Sequence, residues 1–419
     1  VSLPGRLTFF FYHHEPYGPL ELGELHAGRA LFGGSVARLR LLFHLAKRGH
    51  DVRLVGNVIA GEHAGVIAQS LEAALESAVI QAGSPVLVLN NPPPTAAWEA
   101  LRRRVRNPNV RYVVWAGNFI EPDWLQRIAR GEVHRAVCVS HWHRDAYRIY
   151  AGFERIEASY SGIDKEFLPP SVESKERFAY FASIPRVSKG FDRLLAAWSL
   201  VRERVPDARL RVSGGARMHD ASALVGKTGL LDAALEAQFP EFFADPPRTL
   251  TAAGIELLGP RPLPEVYRDI ARASVAVVNC STTSAETYCR AAVEAQAAGT
   301  PVVGVSAGSL NEVVANGRTG LLAATDSAEA ISVALIRLFT DEPLRAQMSR
   351  DAPRWAEWLA DYDLIAPDWE GIAERARTGA PAPVAPRRIE DTLRRVGYGS
   401  LRPILRRLAP KRLVQLIRG

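Results

Sequence analysis

Residues 281–322, STTSAETYCRAAVEAQAAGTPVVGVSAGSLNEVVANGRTGLL, constrain this 419-residue chain more than any other stretch. They read as polar loop, helix, strand, glycine turn, helix and strand. Glu286 stands where the loop Ser281-Thr282-Thr283-Ser284 gives way to a helix, so unpaired backbone N–H groups are expected beside it. Glu294, eight residues on, is expected roughly 12 Å further along that helix. This separation suits two anchors on one extended ligand better than two carboxylates sharing a proton. Gly299-Thr300-Pro301 turns into Val302-Val303-Gly304-Val305, a short apolar run of buried parallel type. Ala307-Gly308-Ser309 then opens a helix whose N-terminus would suit an anion.

The same alternation runs upstream. Residues 7–12 (LTFFFY) have strand length and composition and end at His13-His14-Glu15, at the carboxyl edge where open α/β sheets place ligands. After Gly33-Gly34, Ser35 is an N-cap for a helix facing inward through Val36, Leu39, Phe43 and Ala46. Further strands are expected at 50–55, 86–89, 110–115, 137–140 and 156–159. Past a proline-containing linker at 167–177 they resume at 178–182, 209–212 and 255–258. Asn118 and His141 follow strand ends and join His13 and His14 as candidate cleft residues. The absence of Gly-x-Gly-x-x-Gly after the first strand argues against a nicotinamide-type site. Residues 218–251 read as an insertion broken by Pro246-Pro247.

The net charge of +7 is local. Residues 387–419 carry ten basic side chains against Glu390 and Asp391, so this tail is +8 and the remaining body −1. A nucleic-acid groove through the body is therefore not expected. The tail presents apolar groups at helical spacing (Ile389, Leu393, Val396; Leu401, Ile404, Leu405, Leu408; Leu413, Leu416, Ile417) on an arginine-rich background. That pattern is expected to lie on an anionic membrane surface. The N-terminal apolar run is too short for a signal peptide, and Cys138, Cys280 and Cys289 have no metal-type spacing. The expected setting is cytoplasmic, peripheral on the inner face of the membrane.

Glu286, seven residues, Glu294, Ala-x-Ala-x-Gly-Thr-Pro-Val-Val, Gly308 with Glu312, and Gly317-x-Thr-Gly-Leu-Leu form an ordered set. It resembles the donor-binding core of retaining glycosyltransferases of family 4, and a fainter likeness extends over most of residues 5–378. The resemblance implies an α/β GT-B fold, two Rossmann-like domains facing across a cleft, to which this chain adds the basic helical C-terminal tail. The first domain, 1–168, would take the acceptor, and the second, 177–360, the nucleotide sugar. Residues 361–378 would cross back onto the first domain. Ser161-Gly162-Ile163-Asp164 is similar to the family's closing turn, with serine in place of asparagine.

The resemblance also implies roles. Lys189, Glu286 and Arg186 would be catalytic, with the Lys189 ammonium meeting the diphosphate and Glu286 the transferred sugar. Gly33, Gly34, Thr287, Tyr288, Glu294, Gly308 and Ser309 would bind the donor, Glu294 through the ribose hydroxyls. The sequence departs from the pattern twice. Ile184 stands where the family has an arginine, leaving Arg186 to supply that charge. Trp115-Ala116-Gly117-Asn118 holds no histidine where many members have one. The expected activity is retaining transfer of a sugar from a nucleotide-diphosphate sugar to a hydroxyl of a glycan, glycolipid or lipid-linked saccharide, without metal or other cofactor. An impaired sugar-nucleotide-binding scaffold and a non-transferring sugar-nucleotide enzyme are the alternatives.

Overall fold

Two parallel sheets organise the chain. The computed structural model describes residues 5–14, 19–28, 38–163, 165–169, 175–218 and 222–383. Expectations placed on Glu15, Gly33, Gly34, Ser35, Val36, Asp164 and the tail 387–419 lie outside these residues.

The first sheet contains β1 (Thr8–His13), β2 (Asp51–Gly56), β3 (Gly61–His63), β4 (Val66–Gln69), β5 (Val86–Asn90), β6 (Arg111–Ala116), β7 (Arg135–Cys138) and β8 (Ile156–Ala158). Their spatial order is β3-β4-β2-β1-β5-β6-β7-β8, parallel except for the β3–β4 hairpin. Parallel strands are covered on both faces. That explains why Phe9, Phe10 and Phe11 are all buried although successive side chains point to opposite sides.

The second sheet contains β9 (Glu176–Phe181), β10 (Arg209–Ser213), β11 (Ile255–Gly259), β12 (Ala273–Val277), β13 (Val302–Val305) and β14 (Gly320–Ala323). All are parallel, in the order β11-β10-β9-β12-β13-β14. Between β10 and β11 the insertion folds into three short helices, Ala233–Gln238, Pro240–Phe243 and Pro246–Ala253. The buried Glu236 carboxylate accepts the N–H groups of Lys227 and Thr228 there.

The helix Tyr362–Thr378, capped by the Asp361 side chain, returns to the first sheet. Its Trp369 is buried against Phe11 and Trp115, with ring centroids 6.0 and 4.5 Å away. Truncating such a side chain to alanine costs about 3–5 kcal/mol. Glu370 takes a forked pair of bonds from Arg48 at 2.5 and 3.0 Å and a third from His50 at 2.9 Å. All three cysteines are buried and free. Among the described residues no helix is long and apolar enough to cross a membrane.

Candidate functional site

In the second sheet, β9 is followed by strands added on one side, and β12 starts the other side. Loops leaving the carboxyl ends of two such neighbours diverge and leave a crevice. Lys189 lies on the loop after β9 and Glu286 on the loop after β12. The Lys189 Nζ donates to Glu286 Oε1 at 2.6 Å, an ion pair 28% and 15% exposed. The loops are held together by backbone: the Cys280 N–H donates to the Lys189 carbonyl at 3.1 Å. Gly190 permits this approach. Its φ is 66°, and a Cβ there would lie 2.3 Å from the Cys280 carbonyl carbon. The Arg186 side chain is partly exposed and has no hydrogen bond or ion pair among the described residues.

The loop after β12 runs further than expected. The helix begins only at Arg290, and Cys289 has φ 12° and ψ 70°. Glu286 and Glu294 therefore do not share a helix, and the 12 Å axial spacing does not apply. The cause is competition for carbonyls. The Glu286 C=O, which would start a helix, accepts the Ser309 N–H at 2.9 Å, and the Thr287 C=O accepts the Ser140 hydroxyl at 2.5 Å. The same bond takes the Ser309 amide out of the anion site expected at Ala307-Gly308-Ser309. Ser309 is buried, its amide is spent on Glu286, and the helix that follows, Leu310–Val313, is a single turn. Gly308 packs directly against the Glu286 backbone. By contrast, the N–H groups of Thr287 and Tyr288 have no intramolecular acceptor among the described residues.

Glu294 lies on the helix Arg290–Ala297. Its Oε1 accepts both Arg290 Nε at 2.7 Å and the Tyr267 hydroxyl at 3.0 Å. Burial and the neighbouring carboxylate hold the Tyr267 hydroxyl well above the usual phenol range, so it is a donor. Neither Arg290 nor Tyr267 belongs to the ordered motif set. The i, i+4 spacing of Arg290 and Glu294 was the available signal.

Across the cleft, the loop after β6 faces the loop after β12. The Thr287 hydroxyl donates to the Gly117 carbonyl at 2.6 Å, and the Tyr288 hydroxyl to the Ser161 carbonyl at 2.8 Å. The Glu312 carboxylate accepts the N–H groups of His141 at 3.0 Å and Trp142 at 2.8 Å, and the Tyr160 hydroxyl at 2.5 Å. Thus His141 sits on the seam through its backbone, with its ring edge-on to Tyr160. Asn118 is exposed beside Gly117, His13 is buried at the end of β1, and His14 follows it partly exposed.

A guanidinium packs beside the loop after β6, which holds no histidine. Arg38, buried over the Trp115 ring at 5.2 Å, donates to Asn90 Oδ1 and Asn91 Oδ1, both at 2.9 Å. Asn91 Oδ1 also accepts the Gly117 N–H at 3.0 Å. A Cβ at position 117 would lie 1.7 Å from Arg38 Nη1, so a larger residue there would have to displace that guanidinium. His143, nearby and buried, is pushed down to about 4 by burial and by the Arg38 charge. Among the described residues no three His, Cys, Asp or Glu side chains are grouped to hold an ion. The sequence's one Asp-x-Asp, Asp361-Tyr362-Asp363, starts the final helix, where Asp361 caps the Asp363 N–H and pairs with Lys165.

Residues 175–341 match the family described as Glycosyl transferases group 1. A D-inositol 3-phosphate glycosyltransferase of Corynebacterium aurimucosum is 34% identical over 178 residues, which are 41% of this chain and 38% of that relative. One from an Arthrobacter species is 27% identical over 245 residues, 55% of this chain and 51% of the relative. The chain thus spans about half, or less, of the length of these relatives. Among solved structures, sucrose-phosphate synthase from Thermosynechococcus elongatus superposes with a TM-score of 0.64 at 14% identity, covering 90% of this chain and all of the other. A HepE protein of Anabaena, solved with UDP and glucose, gives 0.59 at 15% identity, covering 88% of this chain and all of its own. These structural likenesses establish the GT-B fold of two parallel-sheet α/β domains.

Proposed function

We propose that this chain, a GT-B protein whose residues 175–341 form a group 1 glycosyltransferase domain, transfers a sugar from a nucleotide-diphosphate sugar to a hydroxyl acceptor with retention of configuration. The observation that carries this reading is the Lys189–Glu286 pair in the crevice between β9 and β12, beside the unspent amides of Thr287 and Tyr288. In the reaction the bond from the anomeric carbon to the phosphate oxygen breaks and one to the acceptor oxygen forms. The acceptor proton passes to the departing phosphate oxygen. The Lys189 ammonium is suited to the charge that develops on that phosphate, and preorganised donors aimed at developing charge are the strongest lever such a site has. Glu286 and the two amides offer acceptors and donors for sugar hydroxyls. We assign Glu294 to the ribose and Arg186 to a supporting charge on the diphosphate.

In this reading the acceptor approaches from the first-domain side, past Gly117, Asn118 and His141. The relatives' name puts a polyol phosphate in the acceptor panel beside lipid-linked saccharides. The test is incubation of the full chain with UDP-, GDP- and ADP-sugars, with and without such acceptors, followed by nucleotide release and product mass. Acceptor-dependent release with retained anomeric configuration is expected. No release from any donor supports the scaffold alternative, and an isomerised donor supports the non-transferring one.

A further inference from the structure

Arg290 joins groups that belong to opposite sides of the cleft. Its guanidinium donates through Nε to Glu294 Oε1 at 2.7 Å, and through Nη1 to the Gly162 carbonyl at 2.8 Å and the Ser161 hydroxyl at 3.2 Å. Both side chains of the ion pair are largely buried, at 15% and 13% exposure. The turn it reaches is itself fixed. The Ile163 N–H donates to the Ala360 carbonyl at 2.9 Å, Gly162 lies flat against the Tyr362 ring, and Tyr288 bonds the Ser161 carbonyl. Tyr362 in turn stacks on His44 of the first domain at 4.0 Å. Arg290 therefore ties a donor-side carboxylate to a rigid point where the first domain, the second domain and the final helix meet.

We propose that Arg290 is a positioning residue for nucleotide recognition, setting the Glu294 carboxylate by anchoring it to the Ser161–Gly162 turn. The inference rests on the assignment of Glu294 to the ribose. Arg290 Nε and the Tyr267 hydroxyl both bond Oε1, and Oε2 receives no hydrogen bond among the described residues. A carboxylate held at one oxygen by two donors cannot rotate, so Oε2 keeps a fixed direction for a ligand hydroxyl. An arginine fork suits this because its planar donors reach carboxylate and turn together, which a lysine cannot do. Ligand contact at Oε2 and seating of the first domain then become linked, since both depend on the same guanidinium.

The test is a thermodynamic cycle between Arg290 and the ribose hydroxyl. The full-length wild type, Arg290→Met, Arg290→Lys and Glu294→Gln are titrated calorimetrically with UDP, GDP and ADP and with their 2′-deoxy forms. For the nucleotide that binds, wild type is expected to prefer the ribose form by about tenfold or more, the size of a hydrogen bond to a charged group. Arg290→Met is expected to reduce this preference to about threefold or less, and Arg290→Lys to an intermediate value. A merely structural arginine would weaken both forms equally and leave the preference unchanged, and that result overturns the inference. If Arg290→Met does not fold, Arg290→Lys is judged by the same preference. A preference lost in Glu294→Gln but intact at position 290 rejects the role of Arg290 and leaves the donor assignment standing. A preference that survives Glu294→Gln, or a wild type that binds no nucleotide, rejects both.

Discussion

The Glu312 carboxylate accepts the Tyr160 hydroxyl at 2.5 Å, across the seam between the two sheets. The same carboxylate caps the N–H groups of His141 and Trp142, so three donors from the first domain converge on one anion from the second. Hydrogen bonds to charged groups contribute about 1.5–3 kcal/mol. We expect Glu312→Ala to loosen the first domain against the second and to raise the radius of gyration in small-angle scattering without ligand. Superimposable profiles for variant and wild type would remove Glu312 from the closure.

Lys189→Ala deletes the cation paired with Glu286 and leaves that carboxylate without its partner. Transfer is expected to fall about a hundredfold or more, the usual consequence of losing a preorganised contact to developing charge. The circular dichroism spectrum should be unchanged. In the same assay the wild type is expected to keep its rate in chelator, because the charge on the leaving group is assigned to Lys189. Wild-type turnover in Lys189→Ala would end that assignment, and metal-reversible loss in chelator would require a cation.

Two histidines, His143 buried and His134 partly buried, make stability depend on mild acid. His134 and His143 are both pushed from 6.5 to about 4, chiefly by burial, with surrounding arginines adding to the effect. The Tyr112 N–H donates to His134 Nδ1 at 3.1 Å, which requires the neutral ring. Below 6.5 the unfolded chain binds these protons and the folded one does not. Stability is therefore present above pH 6.5 and lost as pH falls towards 4, by at most about 3 kcal/mol for each histidine. His134→Asn, whose Oδ1 can accept the same N–H, should flatten the slope of denaturation midpoint against pH in this window. An unchanged slope would show that His134 does not carry it.

Glu157 is shared by two arginines. Arg135 and Arg375 both pair with it, and Arg135 also donates to the carbonyls of Arg375 and Ala380. Arg135 and Glu157 side chains are almost fully buried. Glu157→Ala leaves a buried guanidinium uncompensated, and such breaks cost about 3–5 kcal/mol. Chemical denaturation should show a loss of that order, with the final helix the first segment to lose hydrogen-exchange protection. A change under about 1 kcal/mol would mean the site rearranges or hydrates.

The tail 387–419 is proposed to hold the protein on an anionic surface. Each arginine near such a surface contributes roughly 1 kcal/mol, so binding to vesicles of anionic phospholipid should be strong at low salt and reversed at high salt. Truncation after Pro386 should abolish it while sparing turnover on a soluble acceptor. Equal vesicle binding by the truncated chain would leave the membrane reading, and the lipid-linked acceptor, without support.

Local pattern alone determined most of the strands. Residues 7–12, 86–89 and 302–305 are apolar runs that only a doubly covered parallel sheet accommodates, and their glycine and proline punctuation marks the turns. The central strand β12 has no such signature, because Ala-Ser-Val-Ala-Val carries little of the branched or aromatic bulk that identifies a strand. It forms because β9 and β13 supply pairing on both sides. Lys189, Glu286 and Glu294 stand out through the family resemblance of their motifs, and their place on or after loops that follow strands is visible in one dimension. What contacts them is not. The Glu286 and Thr287 carbonyls are drawn off by Ser309 and Ser140, so the loop stays open until Arg290. The guanidinium that packs against Gly117 comes from Arg38, 79 positions earlier. Sequence fixes which residues tend to turn, extend or coil over a few neighbours. Which carbonyl a hydroxyl captures, and which side chain excludes another, depends on groups brought together only when two sheets close on each other.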